Sequence, residues 1–480
     1  MTSWLQPKQD ALARLDTLLA DAPRSIDVRF ERASLLAEMG RTEEAKSAYL
    51  AILADDPTHF ATLINFGALL HEGGFISAAR TVYRQVVEYH PYNPAGHVNL
   101  GNLLAATDAP ELARTHLEVA LRLDPENREA HRSLSYLLTD LREEAQAEYH
   151  RHKAFTGQAL KTQAYYGKRA PIDVLLLVSA RGGMIPIAQH FDPGVYRVML
   201  LFVEYHDPQT PLPAHHILFN AIGDADLCPG ALELAKALIA GAPVINPPDC
   251  VLATTRLNTA ARLGAIANVI AARTVQMRRQ ALAGDGIVTP GFAYPVLLRA
   301  PGFNTGRFFK RAASAADLTQ ALADLPGDDV LLIENLKSQS KDGQFRKYRV
   351  MIIDGRLYPA HMAVSPDWKV HYFTSAMADN AAYRREEAAF LADMPGVLGK
   401  RAMAALTAIA ATLKLDYAGV DFGLDARGRL LLYEANAGMV LGKPSPDPRF
   451  AYRRAAVDAM IKALQDLWAK AASPLIQDVH

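Results

Sequence analysis

Tyr417-Ala-Gly-Val-Asp-Phe-Gly-Leu-Asp-Ala-Arg-Gly-Arg-Leu-Leu-Leu-Tyr-Glu-Ala-Asn-Ala-Gly-Met439 decides how the second half of this 480-residue chain is read. An apolar run ending at Phe422, a turn at Ala426-Arg427-Gly428 and a returning run from Leu430 to Tyr433 predict a β-hairpin. Asp421 stands near the end of the first strand. Glu434 and Asn436, two apart on the second, leave it on one face. Two carboxylates and an amide oxygen suit Mg²⁺, a hard cation that takes a few protein oxygens and completes its shell with phosphate oxygens and water.

Working upstream, Val330 to Leu336 and Gly343 to Asp354 read as strands, and so does Pro295 to Arg299 before the small-residue loop Ala300 to Gly306. Alternation sends Lys347 and Arg349 to one face and Arg346 to the other. Farther back, Asn246-Pro247-Pro248 precedes a segment opened by Arg256, with apolar residues at helical spacing through Ile270. Taken in this order, the motifs resemble the ATP-grasp ligases, in particular their glutathione-synthetase/RimK-like members. The resemblance covers residues 171 to 468.

What the resemblance implies is specific. Asp421, Glu434 and Asn436 hold Mg²⁺. Arg299 brings a cation to the nucleotide phosphates, where many members have lysine; arginine keeps the charge and can grip phosphate with two N–H groups. Glu334, Asn335 and Leu336 form the hinge that receives adenine, with Lys337 close behind. Arg349 reaches the γ-phosphate or acyl phosphate, Lys347 shares its face, and Arg256 holds the place of a basic residue at the start of a helix. The implied activity is ATP-dependent ligation of a carboxylate to an amine through an acyl phosphate. A nucleotide-binding scaffold without ligase activity and a small-molecule kinase are the alternatives. His361, Lys369 and His371, expected on strands Arg356 to Ala363 and Asp367 to Phe373, would border the acceptor.

The first 150 residues follow another rule. Pro23, Pro57, Pro91 and Pro125 recur every 34 residues; Ala11, Ala45, Ala79 and Ala113 keep step, as do Leu15, Tyr49, Tyr83 and Leu117. The pattern resembles the tetratricopeptide repeat: small residues let paired helices approach, large ones fill the seam between repeats, and proline ends the second helix. Three full repeats are expected, with a half repeat before them (Leu5 to Leu19) and a capping pair after. Asn65, Asn99, Asn102 and His131 are candidates for a groove that holds a peptide or protein segment, while His150 and His152 read as a solvated junction.

The expected organisation is therefore an all-α tetratricopeptide-like solenoid over 1–150, a linker over 151–170, a small parallel α/β layer over 171–250 and an α/β ATP-grasp domain over 251–475. Lys+Arg and Asp+Glu both total 51, which gives no sign of nucleic acid or an anionic membrane as partner. The balance is uneven: 14 basic against 22 acidic residues in the first 150, and 37 against 29 beyond. Cys228 and Cys250 are too few and too isolated for a disulfide framework. With no basic-then-apolar start, a cytoplasmic location is the expectation.

Overall fold

The computed structural model describes residues 5–107, 109–239, 241–282, 292–303, 306–370, 375–442 and 447–476. The chain divides into two compact units: residues 1–158 with 164–171 and 193–196, and residues 159–163 with 172–192 and 197–480. The first is a tetratricopeptide-like helical solenoid. The second is a mixed α/β region.

In the solenoid, α1 (Leu5–Asp21) precedes four helix pairs: α2 (Ile26–Glu38) with α3 (Thr42–Asp55), α4 (Phe60–Glu72) with α5 (Ile76–Tyr89), α6 (Pro94–Ala106) with α7 (Pro110–Leu123), and α8 (Arg128–Asp140) with α9 (Glu144–Phe155). The period survives in the helix starts. It is set by caps as much as by prolines: Ser25, His59, Asn93 and Asn127 stand 34 apart, and each accepts a backbone N–H of the first turn through its side chain. Within pairs, Ala45, Ala79, Ala113 and Ala147 are fully buried. A Cβ on Gly67 would lie 2.4 Å from the Tyr83 ring, and one on Gly101 2.8 Å from Leu117, so glycine is what lets the large residue fill the seam. In the last pair Arg151 takes the place of Tyr49, Tyr83 and Leu117. Its guanidinium reaches Thr139 Oγ1 at 2.9 Å and pairs with Glu144 and Glu148.

Two histidine expectations are corrected here. His131 is buried rather than in a groove, and His150 is no solvated junction, because its Nδ1 lies 2.7 Å from that of His131 inside the fourth helix pair. The capping pair is thus a further repeat in the same register. Asn65 donates to Ser34 at 3.2 Å.

Among the described residues the second unit holds three sheets. In the first, β1 (Leu160–Thr162), β2 (Ile172–Val178), β3 (Tyr196–Phe202) and β4 (Ile217–Asn220) lie in the order β1-β3-β2-β4. β2 and β4 are parallel, as the continuous apolar runs imply, but β1 adds an antiparallel edge that composition did not signal. Next come β5 (Val269–Ala271), β6 (Thr274–Arg278), β7 (Val296–Arg299), β8 (Phe309–Ala312), β9 (Asp329–Glu334), β10 (Phe345–Ile353), β11 (Arg356–Ser365), β12 (Tyr417–Leu424) and β13 (Leu430–Asn436). They form the sheets β6-β9-β7-β8 and β11-β10-β12-β13-β5.

Two local expectations change. The helix opened by Arg256 ends at Leu263, since Gly264 and the left-handed Asn268 (φ 65°) turn the chain; Val269 and Ile270 are in β5. Residues 367–370 are not a strand, and 371–373 lie outside the described residues, as do Asn304 and Thr305 of the small-residue loop. Asn246 has a structural task. Also left-handed (φ 58°), it donates Nδ2–H to the Tyr417 carbonyl and accepts the Tyr417 N–H on Oδ1, both at 2.8 Å, fixing the start of β12. Helix Met394–Leu413 is long and apolar enough by length and composition to cross a membrane, yet it is broken at Gly399 and buries Leu406, Ile409 and Leu413.

Candidate functional site

Register puts the predicted residues in one row. Across three neighbouring strands Arg349 of β10 is paired with Asp421 of β12, and Asp421 with Glu434 of β13. Directly opposed residues share a face, so their side chains meet. A register shift between Asp421 and Phe422 leaves Tyr433 without an opposite residue beside this row, a local break of the kind that re-aims side chains.

The row is bound by short ionic contacts. Arg349 grips Asp421 with two bonds, Nε to Oδ1 at 2.6 Å and Nη2 to Oδ2 at 2.8 Å, and Lys347 Nζ reaches Oδ2 at 3.0 Å. Arg346 points away to Asp342 and Glu386, as alternation requires. Glu434 Oε1 receives Arg256 Nη2 at 2.9 Å and Asn436 Nδ2 at 2.9 Å, and Asn436 Oδ1 accepts the Gly438 N–H at 3.0 Å. Burial alone would push Asp421 up; the charges of Arg349 and Lys347 outweigh it and hold the carboxyl well below the usual carboxylate range. Glu434 behaves alike: burial raises it, Arg256 and Arg299 lower it, and the net direction is down.

These side chains line a cavity of about 590 Å³ in the second unit, with residues from the sheets of β9 and β13 on its walls. On β7, Leu298 packs into the core with Leu332 of β9, while Leu297, Arg299 and Ile333 face the cavity. Glu334, Asn335 and Leu336 line it too; Lys337, next in the chain, is exposed and does not. Lys337 therefore falls outside the set that lines the cavity. Arg299 is buried, with Nε 3.2 Å from the Phe303 carbonyl oxygen, and burial and then Arg256 push it down to about 10. Lys369 and Trp368 line the cavity from the segment after β11; Trp368 sits edge-on against Phe309, and His361 is buried in the wall.

Sequence reasoning missed Asp226. It lies in the loop after β4, accepts the Arg256 backbone N–H at 3.1 Å, and has its carboxyl raised by burial. Only tertiary folding brings it beside Arg256; its neighbourhood carries no motif. Among the described residues no cluster of three or more His, Cys, Asp and Glu side chains could hold a metal ion, and the oxygen donors present are two carboxylates and one amide.

No protein-family model matches the sequence, and no curated protein matches it. Some solved structures are similar to a minor part of the chain. MamA (residues 41 to the end) from Desulfovibrio magneticus RS-1 is 22% identical over 31% of this chain and 84% of its own, with a TM-score of 0.29. A thermophilic TPR protein of Thermus thermophilus is 17% identical over 32% and 83%, TM-score 0.28. PilF of Pseudomonas aeruginosa is 22% identical over 32% and 70%, TM-score 0.29.

Proposed function

We propose that the second unit is a Mg²⁺- and ATP-dependent carboxylate–amine ligase of the ATP-grasp kind, located in the cytoplasm, and that the solenoid brings it a peptide or protein. The observation that carries this reading is the Arg349–Asp421–Glu434 row sharing one cavity with Arg256, Arg299 and the Glu334–Leu336 segment. Charge supports it. Arg256, Arg299, Lys347, Arg349, Lys369 and Arg453 outnumber Asp224, Asp226, Glu334, Asp421 and Glu434 by one, and that surplus together with Mg²⁺ would offset about three of the about four negative charges of ATP.

The donor set fits the cation. Glu434 Oε2, the remaining lone pairs of Asp421 and the amide oxygen of Asn436 are hard oxygens on adjacent strands. When bound, Mg²⁺ would supply charge neutralisation to the nucleotide's phosphoryl oxygens. The chain's own residues do the rest. The Asn335 and Leu336 backbone reads the adenine edge, Leu297 and Ile333 flank the ring, and Arg349 and Lys347 swing part of their hydrogen bonding from Asp421 to the transferring phosphoryl. A substrate carboxylate oxygen attacks the γ-phosphorus and ADP departs; the amine nitrogen then attacks the acyl carbon, phosphate leaves, and the nitrogen loses a proton. Positioning and electrostatics suffice, with no protein nucleophile.

One observation favours a second reading, a nucleotide-binding scaffold: the Arg299 guanidinium is spent on the Phe303 carbonyl. Thermal unfolding with Mg²⁺ and a non-hydrolysable ATP analogue tests the nucleotide site first. A hundredfold excess over Kd adds about 2.7 kcal/mol, and Glu434→Ala is expected to abolish most of that gain. Phosphate release that requires both a carboxylate and an amine then separates a ligase from a kinase, which retains the phosphate on its product, and from a scaffold, which releases none.

A further inference from the structure

Two histidine pairs in the solenoid repeat one geometry at the 34-residue period. His97 of α6 meets His116 of α7 with Nδ1 atoms 3.1 Å apart, and His131 of α8 meets His150 of α9 at 2.7 Å. The ring centroids are 5.3 and 5.0 Å apart, at 36° in both pairs. Nε2 of His97 lies 3.1 Å from the Pro91 carbonyl oxygen, and Nε2 of His131 3.0 Å from that of Pro125. A carbonyl only accepts, so these Nε2 atoms carry protons. A neutral His97 or His131 then has a bare Nδ1, and the N–H between the rings must come from His116 or His150. One repeat earlier, Leu63 and Val82 hold the same two positions as a buried apolar contact.

We infer that the two pairs form an acid-sensitive latch: each holds one shared Nδ1 proton near neutral pH, and further proton uptake breaks the contact and opens α6 to α9. A second proton placed on Nδ1 of His97 or His131 sets two N–H groups head to head across about 3 Å, within hydrogen-bond distance yet with no acceptor between them. One placed on the far nitrogen of His116 or His150 puts a charge at a half-buried seam.

The surroundings do little to welcome that charge. Arg84 of α5 acts on His116 with the same sign, while Glu118 and Arg122 of α7 line the hollow beside His150 with opposite signs. Other charges nearby are engaged: Arg114 with Glu143, Arg132 with Glu129, Arg151 with Glu144 and Glu148, and Arg128 on the Ala154 and Thr156 carbonyls. Burial, then His97, lowers His116; burial, then His131, pushes His150 down to about 4. The sign follows. An unfolded histidine takes its proton near pH 6.5 and the paired one does not, so the stabilisation is complete above that pH and is lost as pH falls toward 4.

The test uses the full chain and two readouts. With ¹⁵N-labelled histidine at pH 7.5, His97 and His131 are expected as Nε2–H tautomers and His116 and His150 with protonated Nδ1; the opposite pattern in the first two overturns the inference. Hydrogen exchange of peptides from α6 to α9, corrected for intrinsic rates, should show opening that grows on the order of tenfold between pH 7.5 and 5. Replacing the pairs with the residues of the preceding repeat (His97→Leu, His116→Val, His131→Leu, His150→Val) should remove that growth while the α2 to α5 peptides stay as they were. Equal growth in both proteins refutes the latch. Should the fourfold variant fail to fold, the tautomer readout still decides.

Discussion

Asn246→Ala is the sharpest test of how the site is held. The side chain makes two 2.8 Å hydrogen bonds to the backbone of Tyr417, a residue that is almost fully buried, four positions before Asp421. Truncation strands one N–H and one C=O where water does not reach, at about 1–3 kcal/mol each. Alanine at φ 58° adds about 1–2 kcal/mol of left-handed strain that asparagine tolerates. The total is roughly 3–8 kcal/mol, a fall of the second unit's melting temperature on the order of 5–20 °C. Tryptophan fluorescence follows this unfolding, because Trp468 is buried in that unit against Phe191 and Phe219. Asn246→Asp keeps the acceptor but sets a buried carboxylate oxygen against the Tyr417 carbonyl with Asp416 close by, so its cost should be at least that of alanine. A loss below about 1 kcal/mol for alanine would mean that Asn246 does not anchor β12, and would remove the account of how Asp421 is placed.

Other outcomes follow from single contacts. Asp421 titrates far below an unfolded aspartate, so the stabilisation it gives is present above about pH 4 and is lost as pH falls through its folded value; Asp421→Asn should flatten the acid limb of a stability–pH curve at the second unit. Gly67→Ala should cost about 1–3 kcal/mol by driving a methyl into the Tyr83 ring, and Tyr83→Leu in the same chain should recover part of it, as measured by urea unfolding. Arg151→Met should change stability by less than about 1 kcal/mol: its carboxylate partners are half exposed and re-hydrate, and methionine fills the space of the stem.

Much of the architecture was written locally. Proline and alanine at a fixed period announced the solenoid because every repeat solves the same packing problem, and the hairpin from Tyr417 to Met439 announced itself by alternation and a glycine turn. Site residues on strands were legible for the same reason: Lys347 and Arg349 share a face by period two, and the structure brings both to Asp421. What stayed hidden depends on partners distant in sequence. Asp226 meets Arg256 only through the fold, and the Asn246 clamp joins residues 171 apart. His131 looked like a groove residue and His150 like a solvated one, yet each supplies what the other lacks. Lys337 fell the other way: β9 ends at Glu334, and past a strand's end no period tells which side chains turn inward.

The arginine at position 151 also says how an array of this kind can grow. Each earlier repeat offers its neighbour a ring or a leucine to pack upon, whereas the last offers a guanidinium already committed to Thr139 and two glutamates. A module appended after α9 would have to bury the half-exposed carboxylates of Glu144 and Glu148 that pair with that guanidinium. Duplication or loss of a 34-residue unit is therefore cheap anywhere before α8, where like meets like, and costly after it. Lineages carrying this chain should vary in the number of internal repeats while keeping the basic residue in the final one.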